Sequence, residues 1–396
     1  MRVLSVTAQK PCSTGSGVYL TEVVRSLAKM GVSQAVVAGV TREDRVDMPE
    51  GVTVYPVYFS SEKLPYPVVG MSDEMPYTST RYRDMTEEMA GQFKAAFLEV
   101  LDEAIEKENP DIILCHHLYY LTALIRVHYP AKKVYGFCHN TDLRQMESIS
   151  FEKNFIRQEI PKLDRIFALQ EAQKEKIKKI YPVSEKQMTV IGTGYNSEVF
   201  KKTGIKSSRK DGKIRMIFAG KITQKKGVKS LLRALNLLDY EKEKIQLILA
   251  GGAGNLVEYE EIKELADGCR YPVVFAGCVT QSRLAELYND CDIFVLPSMY
   301  EGLPLTVIES LACGDRVVMT KLEGIAEWLA DMVPDADIRY VLPPGMKGTD
   351  EPLEEELPEF ESRLAEALRE AIEEKDTKEC DVSRISWQKI AREVIR

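Results

Sequence analysis

RVLSVTAQKPCSTGSGVYLTEVVRSLAKMGVSQAVVAGV, residues 2–40, carries the pattern that decides the fold. RVLSVTA (2–8) is a β-branched apolar run and reads as a strand. GVYLTEVVRSLAKMG follows, with Val18, Leu20, Val23, Val24 and Leu27 at the spacing of a helix with one buried face. SQAVVAGV (33–40) is a second strand. A strand, a helix and a strand in this order, once repeated, argue for a doubly wound α/β sheet.

The unit recurs outward from there. VTVYPVYF, DIILCHH, KKVYGFCH, RIFALQ and MTVIGTG are further strand candidates. They are continuously apolar rather than alternating, as strands covered on both faces are. A polar, Lys-rich stretch, KKTGIKSSRKDGK (201–213), interrupts the pattern and reads as a linker. The pattern then restarts with KIRMIFAGK, IQLILAGG, YPVVFAGCV, DIFVLPS, RVVMTK and IRYVLPP. The expectation is an α/β chain of two Rossmann-like, doubly wound domains, 1–200 and 214–380, followed by a C-terminal helix within 381–396 anchored by Trp387. Ligands of doubly wound sheets sit beyond the carboxyl ends of the strands, so two such domains can present two substrates to each other across a cleft.

Composition bounds the function. Of 396 residues, 44% are hydrophobic and 29% charged, which suits a globular protein and excludes wholesale disorder. The net charge of −8 gives no sign of the basic face that nucleic-acid binding needs. No apolar run is long enough for a membrane span, and the start lacks the apolar core of a signal peptide, so a cytoplasmic location is expected. The cysteines at 12, 115, 138, 269, 278, 291, 313 and 380 form no C-x-x-C pair and read as small buried hydrophobes. His116, His117, His128 and His139 lie close in sequence, but their spacings match no zinc pattern. They read as the ends of two neighbouring strands, and no metal or cofactor is expected.

Five stretches can carry chemistry. In PSMYEGLPLTVIESLACGDRVV (297–318) a strand ends in a loop bearing Glu301 and Gly302, and a helix starts near Pro304–Leu305 with Glu309 inside it. A helix N-terminus is a ready anion site, and carboxylates pair well with sugar or ribose hydroxyls. AGKITQKKGVKSLLRAL (219–235) places Lys221, Lys225 and Lys226 at a strand end, a compact positive pocket for a diphosphate. AGGAGN (250–255) and TGSGVYL (14–20) are Gly-rich turns without the full dinucleotide fingerprint. In the second of these, Gly15, Ser16 and Gly17 let backbone approach a ligand closely. FCHNTDLRQ (137–145) sets His139, Asn140, Asp142 and Arg144 at a strand end facing the expected cleft.

These residues identify a resemblance. The chain resembles the retaining, GT-B-fold glycosyltransferases of sequence family 4, over nearly its whole length. EGLPLTVIESLACG (301–314) is similar to the family's E-x7-E motif, AGKITQKKG (219–227) to its G-R-x4-K-G segment, and IGTGYNSEVF (191–200) to its interdomain segment. SWQKIA (386–391) resembles the C-terminal helix that returns toward the N-terminal domain. The resemblance implies a metal-independent transfer of a sugar from a nucleoside-diphosphate sugar to an acceptor hydroxyl, with no cofactor beyond that donor.

Lys221 and Lys226 would then hold the diphosphate, Glu309 the ribose, and Glu301 the transferred sugar. Gly302, Leu303, Pro304 and Leu305 would add backbone contacts to phosphate, and the turn from Gly277 through Val279 to Thr280 would hold the base. His139 would stand near the reacting carbon, with Gly15, Ser16, Gly17, Asn140, Asp142 and Arg144 on the acceptor side. Lys221 replaces the family's usual Arg, Asp315–Arg316 its x-Pro, and Glu323–Gly324 its Gly-Gly pair.

The acceptor is open between a sugar, a small molecule and a lipid-linked glycan. Peripheral membrane contact through the basic run KEKIKKIY (174–181) is one possibility. A nucleotide-sugar epimerase and a non-catalytic nucleotide-sugar-binding protein are the alternative functions.

Overall fold

A computed structural model describes residues 1–11, 13–73, 75–348, 351–374 and 380–396. Cys12 and part of the acidic stretch after residue 349 lie outside the described residues. The chain forms two units, Met1–Gly194 with Trp387–Arg396, and Tyr195–Ser386.

The first unit is built on a seven-stranded sheet. Its strands are β1 (Arg2–Thr7), β2 (Ser33–Val40), β3 (Thr53–Tyr58), β4 (Ile112–His116), β5 (Lys133–Phe137), β6 (Arg165–Ala168) and β7 (Met188–Val190). They pair in parallel in the order β3-β2-β1-β4-β5-β6-β7. The β-branched runs form strands because both faces are covered: Val3, Leu4, Val6, Val36, Val37, Ile113, Val134 and Ile166 are all buried.

The crossover from β1 to β2 is the helix Gly15–Lys29. Thr14 caps it, its hydroxyl accepting from the Gly17 amide at 3.1 Å. Leu20, Val23, Val24 and Leu27 form its buried stripe.

The second unit repeats the plan with six strands. These are β8 (Ile214–Ala219), β9 (Ile245–Ala250), β10 (Val273–Gly277), β11 (Ile293–Leu296), β12 (Arg316–Thr320) and β13 (Ile338–Val341), parallel in the order β10-β9-β8-β11-β12-β13. Ile217, Phe218, Leu247, Leu249, Phe294, Val295, Val317 and Val318 fill its interior. Both sheets therefore reverse strand order once, between β1 and β4 and between β8 and β11. A reversal opens a crevice at the carboxyl edge, because the connections on its two sides leave in opposite directions.

Three local readings differ from the sequence expectation. The stretch 201–213 is not a bare tether. It holds a one-turn helix, Ile205–Ser208. Lys206 Nζ lies 2.5 Å from Asp315 Oδ1, and Arg209 Nη2 lies 2.5 and 2.6 Å from the Asp292 carboxylate oxygens. Lys206 and Arg209 are thus paired with the second unit's own carboxylates, which sequence alone does not reveal.

The basic run 174–181 is likewise compensated. Lys174 pairs with Glu171 at 3.0 Å and Lys178 with Glu175 at 2.5 Å and Glu185 at 3.1 Å. Those pairs reduce its attraction for an anionic surface. Among the cysteines, Cys115, Cys138, Cys291 and Cys313 are buried, while Cys278 is exposed. No helix among the described residues is long and apolar enough to cross a membrane.

The helix Trp387–Val394 packs in the first unit against the helix Gly15–Lys29. The Trp387 ring stands perpendicular to Tyr19 at 4.9 Å. A Cβ at Gly194 would fall 2.4 Å from the Trp387 amide nitrogen, so only glycine admits this seat.

Candidate functional site

In the second unit the sheet reversal carries the lysines and glutamates. Three strand-end loops are laced into one rim: Gly220 N donates to Ala250 O, Ile222 N to Gly252 O and Gly251 N to Gly277 O, at 2.9–3.0 Å. The rim is close enough to exclude side chains. A Cβ at Gly251, where φ is +146°, would lie 1.7 Å from Gly220 O.

The loop after β8 bears Lys221, then a 3₁₀ turn Gln224–Lys226 capped by Thr223. Gly227, at φ +73°, ends that turn, and a Cβ there would lie 2.0 Å from Pro297 O at the end of β11. The Met299 amide donates to Lys225 O at 2.9 Å. The two loops that flank the reversal thus hold each other.

That packing brings Lys226 to Glu301. Nζ lies 2.6 Å from Oε1, and both side chains are largely buried. The sequence reading gave these residues separate tasks, one on phosphate and one on sugar; in this structure each is the other's partner. An ammonium and a carboxylate at a poorly hydrated rim lower their desolvation cost by pairing.

Gly302 is half-buried, Leu303 and Pro304 are buried, and the helix Leu305–Ala312 begins directly after them. Pro304 supplies no side-chain cap, so the first-turn amides of that helix remain directed at its open end. Glu309, inside the helix, is 7% exposed. Gly277, at φ +68°, ends β10, Val279 is half-buried, and Thr280 caps the next helix through the Arg283 amide at 3.3 Å.

In the first unit the corresponding reversal carries histidines. Parallel register places His116, the last residue of β4, opposite Phe137, the last of β5. His116 Nδ1 comes to 3.0 Å from His139 Nε2, and the His117 and His139 rings are 4.9 Å apart. His117 and Asn140, the residues that leave these two strand ends, both have positive φ, +76° and +74°. Such strain in non-glycine residues concentrates at functional sites.

Burial lowers the pKa of all three histidines. His116 falls to about 3, with the charge of His117 adding to desolvation, and His139 falls well below its usual value from desolvation and then its two histidine neighbours. His128 is elsewhere, 3.1 Å from Asp102. Among the described residues no group of three or more His, Cys, Asp or Glu side chains is arranged to hold a metal ion.

The remaining first-unit candidates divide. Asp142 is not an open edge group. It is fully buried and accepts from Leu118 N at 2.7 Å, His139 N at 3.2 Å and Cys138 Sγ at 3.5 Å. It ties the loop after β4 to the loop after β5, a task that its short polar side chain did not disclose in the sequence. Arg144 Nη2 lies 3.9 Å from Asp73. Ser16 Oγ is 3.1 Å from Thr14 Oγ1 and 3.4 Å from Gln9 Oε1. Gly17 is buried, whereas Gly15 is exposed and a Cβ there meets nothing within 4 Å. The partnership of His116 with His139 was not legible in the sequence, because it depends on the β4–β5 register.

Comparison with known proteins bears on the family and the fold. Residues 13–199 match the profile of Glycosyltransferase Family 4, and residues 200–379 that of Glycosyl transferases group 1. An uncharacterized glycosyltransferase of Methanocaldococcus jannaschii is 29% identical over 172 residues, 41% of this chain and 44% of that protein. The match therefore spans less than half of that relative's length. The D-inositol 3-phosphate glycosyltransferase 2 of Catenulispora acidiphila is 25% identical over 347 residues, 80% of this chain and 76% of that one. Among solved structures, the sucrose-phosphate synthase of Thermosynechococcus elongatus shares the fold, with a TM-score of 0.71 at 15% identity over 100% of this chain and 97% of that one. The chain belongs to the GT-B-fold glycosyltransferases, a Glycosyltransferase Family 4 half followed by a Glycosyl transferases group 1 half.

Proposed function

We propose that this protein is a retaining glycosyltransferase that moves a sugar from a nucleoside-diphosphate sugar to an acceptor hydroxyl without a metal ion. The observation that carries the reading is the placement of Lys226 and Glu301, 2.6 Å apart, at the reversal of the second sheet. The Lys221 loop stands on one side of that reversal and the helix starting at Leu305 on the other.

The chemistry follows from charge. As the bond from sugar C1 to the diphosphate breaks, positive charge grows on the ring and negative charge on the leaving phosphate. Lys221, Lys226 and the backbone N–H groups of Gly302, Leu303 and Leu305 stabilise that growing charge more than the ground state, which is what accelerates a reaction. They supply the neutralisation that a divalent cation supplies elsewhere.

Glu309 binds the ribose hydroxyls and Glu301 those of the sugar, as charged acceptors. The turn Gly277–Thr280 holds the base. From the first unit, His139 serves as an uncharged hydrogen-bonding group, with Gly15, Ser16, Gly17 and Asn140 on the acceptor side. The acceptor hydroxyl attacks on the face the diphosphate leaves, and the departing phosphate oxygen takes its proton, so anomeric configuration is kept.

Turnover with a donor identified by a thermal-shift panel of nucleoside diphosphates and their sugars tests this reading. Lys226→Ala is expected to lower it at least ~10²-fold, as loss of one transition-state charge contact does. EDTA is expected to leave it within about twofold. Metal-dependent turnover would refute the role given to the two lysines. Epimerised donor formed without any acceptor would favour the epimerase reading instead.

A further inference from the structure

We propose that His116 is a positioning residue that fixes the tautomer of His139, so that His139 presents Nδ1–H as a hydrogen-bond donor to its ligand. The proposal deepens the reading of His139 given above and rests on it for its functional consequence, though not for the tautomer itself.

The two rings are close to coplanar, 11° apart, with centroids at 5.2 Å and Nδ1 to Nε2 at 3.0 Å. That is an in-plane N–H···N hydrogen bond, which holds one proton between the rings. Two arrangements exist. His116 donates from Nδ1 and keeps a bare lone pair at its Nε2, or His139 donates from Nε2 and His116 carries a proton at its Nε2. His116 Nε2 is buried and has no partner among the described residues. A buried N–H without an acceptor is costlier and rarer than a lone pair without a donor. The first arrangement is therefore the stable one.

Double protonation of His116 does not offer a way out, since its buried ring resists a charge down to about pH 3. His139, accepting at Nε2 and likewise uncharged, then carries its proton on Nδ1. Nδ1 is the ring nitrogen outside the bond to His116, so it is the group left for a ligand oxygen.

The surroundings hold the pair in place. Phe137 stacks on His116 at 4.8 Å, and Tyr19 meets both rings edge-on, at 6.3 and 5.2 Å. The titratable groups that face His139 are Tyr19 from the helix Gly15–Lys29, His116 and His117 from the end of β4, and Asp142 from the helix Thr141–Ser148. Asp142 spends its carboxylate on backbone amides and the Cys138 thiol. A group in this state donates a hydrogen bond at any ordinary pH and does not take up a proton as a general base would.

With four histidines in the chain, long-range proton–nitrogen correlation spectra of the full protein labelled with ¹⁵N-histidine read each tautomer directly. His116 and His139 are expected as neutral Nδ1–H tautomers throughout pH 5.5–8. His116→Asp, whose carboxylate near the Nδ1 position accepts and cannot donate, is expected to place a proton on His139 Nε2 and to lower kcat about tenfold with KM within about twofold. His116→Asn, whose amide can donate from near the Nδ1 position, is expected to keep the His139 tautomer and to hold kcat within about threefold.

An Nε2–H tautomer for His139 in the unaltered protein overturns the proposal, as does an unchanged His139 signal in His116→Asp. Should His116→Asp fail to fold, the spectrum of the unaltered chain still decides. If the tautomer is as stated but His139→Ala turns over at the full rate, the assigned role of His139 fails and the hydrogen bond stands as a structural feature.

Discussion

Asp315 precedes β12, fully buried, with its Oδ1 2.5 Å from Lys206 Nζ and its Oδ2 without a partner among the described residues. Desolvation raises its pKa to about 7, and the nearby ammonium only partly opposes the rise. A carboxyl whose folded pKa exceeds its unfolded value adds stability that is complete below the unfolded pKa and is lost as pH rises through the folded one. Asp315→Asn stays neutral at every pH. Its melting temperature relative to the unaltered protein is expected to climb between pH 4 and pH 8 in differential scanning fluorimetry, and a flat difference would contradict the buried-acid account. At the same scale, the ribose-binding role proposed for Glu309 predicts that Glu309→Ala lowers turnover at least ~10²-fold.

Among the elements, the strand-end loops matter most, and their glycines give opposed expectations. Gly251→Ala and Gly227→Ala drive a methyl group to 1.7 and 2.0 Å from backbone oxygens at positive φ. Each is expected to cost at least about 2 kcal/mol in urea unfolding, with donor affinity falling alongside as the rim shifts. Gly15→Ala meets nothing within 4 Å and is expected to leave stability within about 0.5 kcal/mol. If it nonetheless weakens substrate binding, the close approach at that loop belongs to a ligand.

The same contrast explains what sequence could tell. RVLSVTA, SQAVVAGV and IQLILAGG read as strands because a buried parallel strand needs an unbroken β-branched run, which is a local property. The pair Lys226–Glu301 is not local. It follows from β8 lying beside β11, with Met216 opposite Ile293, and from Gly227 seating on Pro297. Asp142 and Asp315 looked like edge groups or departures from a motif, since nothing in a lone Asp tells whether backbone amides or an ammonium will surround it.

At the scale of the whole molecule, the chain's last helix returns to its first unit. Trp387 is 5% exposed, held between Tyr19 and Gly194, and Arg165 Nη2 meets Glu393 Oε1 at 3.0 Å. Residues far apart in sequence thus share one packing site. Trp387→Ala is expected to destabilise the first unit by about 3–5 kcal/mol, the usual cost of emptying a large aromatic site. Hydrogen exchange should then rise in the helix Gly15–Lys29 and leave β8–β13 at their former protection. Loss of protection confined to the second unit would contradict this placement.

The central claim is that the second unit's lysines and glutamates grip a nucleoside diphosphate so that a sugar can depart. Isothermal titration of the full protein with the nucleoside diphosphate chosen by thermal shift, run in parallel on Lys226→Ala and Lys221→Ala, measures that grip. Saturable binding is expected, weakened at least about tenfold by either substitution and unaffected by EDTA. Equal affinity in all three proteins, or no binding by any member of the panel, would contradict it.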